Sequence, residues 1–293
     1  MFATCKDQPL ITADDALAAQ AVCASGDTDV VAIPWDAEAD WEQFDAVIIR
    51  STWDYFRRLE EYRAWLEDLN ANGVHLLNPS AVVQWNAHKG YLRELATQGV
   101  AIVPTFWFDR DGEVGIEDVL QSAGWVKAVI KPAVSCTAYE TWITSTEELA
   151  SQAQLQRLTE LLRGSAVMVQ PFMNEIISKG EWSLIFFNGT YSHAVIKRPK
   201  RGDFRVQAQF GGTWEVANPS DDLIRQAEHV LAVAANLTAT EHALYARVDG
   251  LESDKDGRFL LMELELIEPV LFFGADPASA PRRFASALRQ SSS

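Results

Sequence analysis

Cysteine is scarce in this 293-residue chain, and Cys5, Cys23 and Cys136 are odd in number and widely separated. No CxxC pair occurs, which excludes a disulfide framework or cysteine zinc site and suits reduced thiols. Positive charge is also short. Twenty-five lysines and arginines face 41 aspartates and glutamates, for a formal charge of −16. A field of that sign repels phosphate backbones and anionic membranes, so nucleic acid and membrane are set aside as partners. No apolar run approaches the length of about 18 residues that a spanning helix needs. The opening MFATCKDQPL lacks a basic segment leading into an apolar one, so the expectation is a cytoplasmic protein. Repeats and low-complexity tracts are missing apart from a terminal SSS. What the chain does have is core material: 48% of it is hydrophobic, enough for two or three compact domains.

Periodicity gives the organisation. ITADDALAAQAVCASG has Thr12 as a helix cap, acids in the first turn and an end near Gly26. DVVAIPW and DAVIIRSTW are β-branched runs of the kind found in buried parallel strands, and RRLEEYRAWLEDLNANG before HLLNP is amphipathic. Residues 1 to about 80 therefore read as a small open α/β domain. Beyond them, NAHKGYLRELATQG reads as a helix, IVPTFWF and VKAVIKP as strands, and STEELASQAQLQRLTELLRG as a helix capped by Ser145 or Thr146. AVMVQPF closes that unit. EWSLIFFNGTYSHAVIK is a hairpin turning at Asn188-Gly189, a long helix spans Pro219 to about Thr240, and LYARVDG faces RFLLMELEL across a turn.

The segment LLMELELIEP poses the chemical question. Alternation along a strand puts Met262, Leu264 and Leu266 on one face and Glu263 and Glu265 on the other, roughly 7 Å apart at about 3.3 Å per residue. Antiparallel pairing with LYARVDG brings Asp249 beside them. Three converging carboxylates repel unless a cation compensates, and all-oxygen ligands favour magnesium or manganese. The other reading is a solvent-exposed edge face, where glutamate pairs do no harm.

Lysines recur at strand ends and before a helix: Lys89 in WNAHKGYL, Lys131 in AVIKPAVS, and Lys197 beside Arg198 in HAVIKRP. Taken with VQPFM and the acidic strand, this ordered set resembles the ATP-grasp superfamily over roughly residues 78 to 272. The likeness is closest to glutathione synthetases and ribosomal-protein glutamate ligases. It implies an α/β (α+β) architecture, with an N-terminal substrate domain at 1–85, a lid at 86–170 and a metal and nucleotide domain at 171–293. It implies ATP and Mg2+ (or Mn2+) as cofactors. Lys89 and Lys131 match the phosphate-contacting lysines, a task that suits an ammonium point charge. SCTAYET, from Ser135, matches the loop over the phosphates but contains no glycine. Gln170, Phe172 and Met173 match the adenine hinge, and Glu181, with Glu175 as competitor, matches the ribose acceptor. Arg205 and Lys197 match the catalytic cations, while Asp249, Glu263 and Glu265 match the metal ligands, with glutamate at 265 where asparagine is common.

In the N-terminal segment IIRSTWDYF, Arg50, Ser51 and Asp54 follow a buried strand, where open α/β sheets present ligand contacts. Arg50 suits a carboxylate and Asp54 an amine, or the two form a surface ion pair; Trp53 and Tyr55 read as packing residues. RSTWDY, WNxxKxYL and MELELIEP together resemble the branch that includes D-cycloserine synthetases, the O-ureido-serine cyclo-ligases of antibiotic biosynthesis. Glu268 falls in a loop that touches acceptor substrates in related ligases. The implied activity is ATP-dependent carboxylate–amine ligation through an acylphosphate on a small amino-acid-like substrate, with cyclisation of O-ureido-D-serine to D-cycloserine the narrowest form. An intermolecular amino-acid or peptide ligase and a non-catalytic nucleotide-binding module are the alternatives, and related ligases are often homodimers.

Overall fold

The computed structural model describes residues 1–24, 26–112, 115–149, 151–241 and 243–291, without the side chain of Leu149. Three sheets organise these residues. The first contains β1 (Phe2–Thr4), β2 (Ala32–Pro34), β3 (Val47–Ile49) and β4 (Leu76–Leu77), all parallel in the order β2-β1-β3-β4. Its parallel character follows the sequence expectation. β1 does not: MFATCK has only three strand residues, yet they lie between β2 and β3, fully buried. Thr12 caps the helix Ala13–Cys23 by accepting from the Asp15 amide at 3.0 Å. The helix Leu59–Ala71 buries Tyr62, Trp65, Leu66 and Leu69, the stripe its i, i+3, i+4, i+7 spacing predicts.

The second sheet is antiparallel, with β5 (Phe106–Phe108), β6 (Lys127–Pro132), β7 (Trp142–Ser145) and β8 (Val167–Pro171) in the order β5-β8-β6-β7. β7 went unrecognised in the sequence. The single helix expected over 145–164 is two, Thr146–Leu149 and Gln152–Gly164, because Ser151 caps the second by accepting from the Gln154 amide. Ser25, Ala150 and the final two serines of the terminal tract lie outside the described residues. The third sheet comprises β9 (Glu181–Phe187), β10 (Thr190–Arg198), β11 (Thr213–Ala217), β12 (Tyr245–Glu252) and β13 (Phe259–Glu265), antiparallel in the order β11-β10-β9-β12-β13. The hairpin between β9 and β10 turns at Asn188-Gly189, both at positive φ. One face packs on the helix Asp221–Thr238, capped by Ser220, through Leu184, Phe186, Val248, Leu264, Ala227 and Val230. Among the described residues no helix is long and apolar enough to cross a membrane.

β13 is an edge strand, and what covers its edge positions the site. Asn86 donates to the Leu264 carbonyl and accepts from the Leu266 amide, each at 2.8 Å, and the Tyr91 hydroxyl accepts from the Leu264 amide at 3.0 Å. These side chains satisfy backbone groups that a neighbouring strand would otherwise pair. They come from two short helices, Ser80–Asn86 and Tyr91–Thr97, where one was expected. The break lies at 87–90, where the Gly90 amide donates to the His88 ring instead of a helical carbonyl. Lys89 occupies that break, and the two anchors on either side hold it against β13.

Candidate active site

A cavity of about 440 Å3 is lined by strands of the second and third sheets, with Trp53 and Tyr55 from the segment after β3. Its floor is the register of β12 against β13, in which Asp249 pairs with Glu263 and Arg247 with Glu265. A bulge follows Asp249, since Gly250 pairs with Leu261 and skips Met262. This corrects the simple alternation: Met262 turns to the cavity beside Glu263, and Leu261 takes its place on the core face with Leu264.

Each acid on this floor already has a cation. Glu263 accepts from Lys89 at 2.8 Å, and Lys89 also donates to the Ser135 carbonyl at 2.9 Å. Lys197 bridges Glu181 at 2.6 Å and Asp249 at 3.0 Å. Arg247 reaches Asp249 through Nε and Nη2, pairs with Glu265, and donates from Nη1 to the Val270 carbonyl at 2.9 Å. Ser183 completes the set, donating to Asp249 at 2.6 Å. Burial alone would raise the Asp249 carboxyl, but Arg247 and Lys197 outweigh it and hold the group down at about 2. Glu265 goes the other way, pushed up to about 7 by burial and by repulsion from Glu263 and Asp249, despite the attraction of Arg247.

Among the described residues no three His, Cys, Asp or Glu side chains are arranged to hold a metal ion by themselves. The expected convergence of Asp249, Glu263 and Glu265 is therefore modified by Arg247, which stands between two of them. Alternation along β12 could have revealed this, because Arg247 and Asp249 are two positions apart on one face; sequence reasoning missed it. The donor set is all carboxylate and fits a hard divalent cation. Five acids, Asp249, Glu263, Glu265, Glu181 and Glu268, stand against five bases, Lys89, Lys131, Lys197, Arg205 and Arg247, around this cavity. A cation accordingly gains most here when it arrives with an anion.

Lys131 is the exception among the bases. Its ammonium makes no ion pair within the described residues, and burial lowers it to about 8 against the weaker attraction of Glu263. A buried charge without a partner is costly, and this one lines the cavity. Arg205 also lines it, held bidentately by Asp203 at 2.8 and 3.0 Å over the Phe210 ring at 3.7 Å.

Part of the cavity's lining is apolar, with Val103, Val129, Pro171, Met173, Ile176 and Met262. Gln170 lines it too, its carboxamide donating to Thr105 at 2.9 Å. Phe172 departs from expectation. It is not in the lining; its amide is spent on the Lys127 carbonyl at 2.9 Å and its ring packs on Phe204. Glu181 lines the cavity, whereas its competitor Glu175 accepts from the Asp254 amide on the outside. Ser135 to Thr141 roof one side, with Thr137, Ala138 and Glu140 at positive φ without glycine. Gln209 donating to the Thr137 carbonyl and Phe56 packing on Tyr139 hold this loop in place.

The N-terminal expectation is reversed. Arg50 is 2% exposed, paired with Asp15 at 2.8 Å, bonded to the Pro269 carbonyl at 2.8 Å and laid over the Tyr245 ring. Asp54 accepts from Trp35 and Arg58, each at 2.8 Å, and Ser51 is fully buried. None of the three lines the cavity, and Arg50 and Asp54 do not pair with each other. Asp54 is spent within the N-terminal unit and Arg50 on joining that unit to Tyr245 and Pro269. Trp53 and Tyr55, read as packing residues, are the ones that face the cavity, and Trp53 donates to the Glu268 carbonyl at 3.1 Å.

The chain is similar to known proteins over most of its length. A family model described as the N-terminal domain of D-cycloserine synthetase DcsG matches residues 1–78. The cycloserine biosynthesis protein DcsG of Streptomyces lavendulae is 31% identical over 262 residues, 87% of this chain and 86% of the relative. The crystal structure of D-cycloserine synthetase DcsG superposes with a TM-score of 0.88 at 26% identity, covering 100% of this chain and 99% of that one. A D-alanine–D-alanine ligase from Bacillus anthracis complexed with ATP gives 0.68 at 14% identity over 99% and 96% of the two chains. The ATP-grasp ligase PsnB, complexed with a phosphomimetic variant of its minimal precursor, Mg and ADP, gives 0.66 at 15% over 100% and 98%. At those identities the last two speak for the fold.

Proposed function

The chain belongs to the family of the cycloserine biosynthesis protein DcsG and is an ATP-dependent ligase of the ATP-grasp fold; on that premise we propose that it forms a C–N bond through an acylphosphate on a small amino-acid-like carboxylate. The observation that carries this reading is the cavity lining. Lys89, Lys131, Lys197, Arg205 and Arg247 face one space together with Asp249, Glu263 and Glu265, and no protein nucleophile is required.

In this reading the adenine lies along the apolar wall of Met173, Ile176 and Val129, with Gln170 behind it and Glu181 accepting from the ribose. Lys131 gives its unspent charge to the phosphates, and Lys89 joins it. Asp249, Glu263 and Glu265 would hold Mg2+ or Mn2+, which would supply charge neutralisation for the nucleotide phosphates. The ATP and the Mg with ADP in the related ligase structures support both cofactors. A substrate carboxylate oxygen attacks the γ-phosphorus, ADP leaves, and nitrogen then displaces phosphate from the acyl carbon. Arg205 and Lys197 stabilise the charge on the transferring group, and Arg247 reaches the same space. The glycine-free roof of Ser135 to Thr141 keeps water from the acylphosphate.

The narrowest form is ring closure of O-ureido-D-serine to D-cycloserine, in which the alkoxy-bearing nitrogen displaces phosphate from the acyl carbon while its bond to the carbamoyl carbon breaks. That group leaves as isocyanic acid, which water converts to ammonia and carbon dioxide. The DcsG likeness over most of the chain supports this form. We assign the units 1–85, 86–170 and 171–293 to substrate, lid and metal roles. ADP release over a panel of amino-acid-like carboxylates tests the ligase reading, since a non-catalytic module would release none. Mass spectrometry of the product separates cyclisation from joining of two molecules.

A further inference from the structure

Glu268 is unlike every other acid in the cavity. It is 7% exposed and lines the cavity, its Oε2 is buried without a hydrogen-bond partner, and no lysine or arginine forms an ion pair with it among the described residues. Its surroundings are a thiol and aromatic rings. Trp53 donates to its backbone carbonyl at 3.1 Å, and Cys136 and Tyr55 line the same cavity. A carboxyl buried without a cation keeps its proton. Burial, with Glu265 adding repulsion, pushes this one up to about 8.

A neutral carboxyl presents one O–H donor and one carbonyl acceptor side by side. The group that satisfies both at once has a carbonyl acceptor and an N–H donor on adjacent positions, as in an amide or a urea. A carboxylate or phosphate offers acceptors only and is drawn to the cations at the other side of the floor. An ammonium offers donors only and would require the ionised form.

Resting on the ligase reading above, we propose that Glu268, with Cys136, Trp53 and Tyr55 around it, is a specificity-determining residue that binds a neutral amide- or urea-type group of the substrate through a paired donor–acceptor contact. Lys89 and Glu265 line the same cavity as Glu268. A urea held there sits next to the place where the carboxylate is activated, as attack within one molecule requires.

The probe is methoxyurea, a neutral urea with no carboxylate, titrated by ligand-observed NMR into the full chain with MgADP. Wild type should bind it saturably. Glu268→Gln should stay within about threefold, because a carboxamide presents the same donor and acceptor, while Glu268→Ala should weaken binding at least about tenfold, the cost of a lost hydrogen-bonding partner. Unchanged ADP affinity in both variants shows that they are folded. The proposal is overturned if wild type does not bind methoxyurea, if Glu268→Ala binds it as well as wild type, or if Glu268→Gln loses as much as Glu268→Ala. In that last case a methylammonium probe binding wild type more tightly identifies an ionised, amine-binding glutamate. Failure of the ligase reading is separate: no ADP release with any carboxylate, alongside Glu268-dependent methoxyurea binding, leaves the niche standing and removes the reaction.

Discussion

Lys131 should make nucleotide binding proton-linked. In the free protein burial lowers its ammonium to about 8 from the ordinary 10.5. Phosphate oxygens beside it restore at least the ordinary value, so binding takes up the proton that the free protein lacks. From the Henderson–Hasselbalch fraction, that is about 0.1 proton at pH 7, about 0.5 at pH 8 and about 0.9 at pH 9. The same linkage weakens apparent ATP affinity by a factor of (1 + 10)/(1 + 0.1), about tenfold, between pH 7 and pH 9. Titration calorimetry in buffers of different ionisation enthalpy reads the uptake directly. Glu265 and Glu268 titrate in the same range, so the informative quantity is wild type minus Lys131→Met, which keeps the aliphatic stem and removes the proton. Lys131→Met should also bind ATP roughly ten- to a hundredfold more weakly, as expected for a charge-assisted hydrogen bond of about 1.5–3 kcal/mol. If wild type and variant take up equal numbers of protons at pH 8, Lys131 does not meet the phosphates.

The other predictions concern separate parts of the molecule. Glu263→Gln should abolish ADP formation while leaving the chain folded, because the core face of β13 is untouched and Lys89 exchanges its carboxylate partner for a carboxamide oxygen; turnover at ordinary magnesium would contradict its metal role. Arg205→Ala should lower kcat with little effect on ATP affinity, in contrast to Lys131→Met, and equal effects on ATP binding would refute the division of labour. Arg50→Ala should cost about 3–5 kcal/mol in chemical denaturation, because Asp15 would be left buried without its cation; an unchanged midpoint would restore Arg50 to the substrate. Glu268 and Glu265 are raised in the folded state to about 8 and about 7 from 4.5. The folded protein therefore holds more protons than the unfolded one between about pH 5 and 8, and stability falls as pH rises through that window. Glu268→Gln should gain on wild type from pH 5 to pH 8 in thermal melts, and parallel pH curves would refute the raised value.

Legibility differed from one part of the chain to another, for physical reasons. Long periodic segments could be read. The hairpin at Asn188-Gly189 follows from turn chemistry, the helix Asp221–Thr238 matches the long helix read over Pro219 to about Thr240, and antiparallel pairing with LYARVDG brings Asp249 beside Glu263. β1 and β7 could not be read, because three or four residues carry no period and their burial comes from neighbours distant in sequence. The bulge at Met262 is equally silent, since an unpaired residue leaves no mark on composition. Around the cavity, the lysines and acids stood out because charged residues in strand-like runs are unusual. Arg247 is legible by the same alternation, two positions before Asp249 on one face of β12. Arg50 and Asp54 misled because the end of a strand tells where a loop begins but not which way its side chains turn. Their partners Asp15, Trp35 and Arg58 come from other elements. Trp53 and Tyr55 were assigned to packing by residue type, yet the contact of Trp53 with the Glu268 backbone depends on a fold-level approach of segments 215 residues apart.

The central claim is that ATP activates a substrate carboxylate as an acylphosphate, and oxygen transfer tests it most directly. An amino-acid-like substrate that elicits ADP release, with O-ureido-D-serine first in the panel, is labelled with 18O in both carboxylate oxygens and turned over in unlabelled water. The released phosphate is then weighed by mass spectrometry. One carboxylate oxygen attacks the γ-phosphorus and leaves with it when nitrogen displaces phosphate, so each turnover should yield phosphate carrying one 18O and product retaining the other. Phosphate free of 18O, released at the same rate as ADP, would mean that water or another group takes the phosphoryl group and would contradict the account.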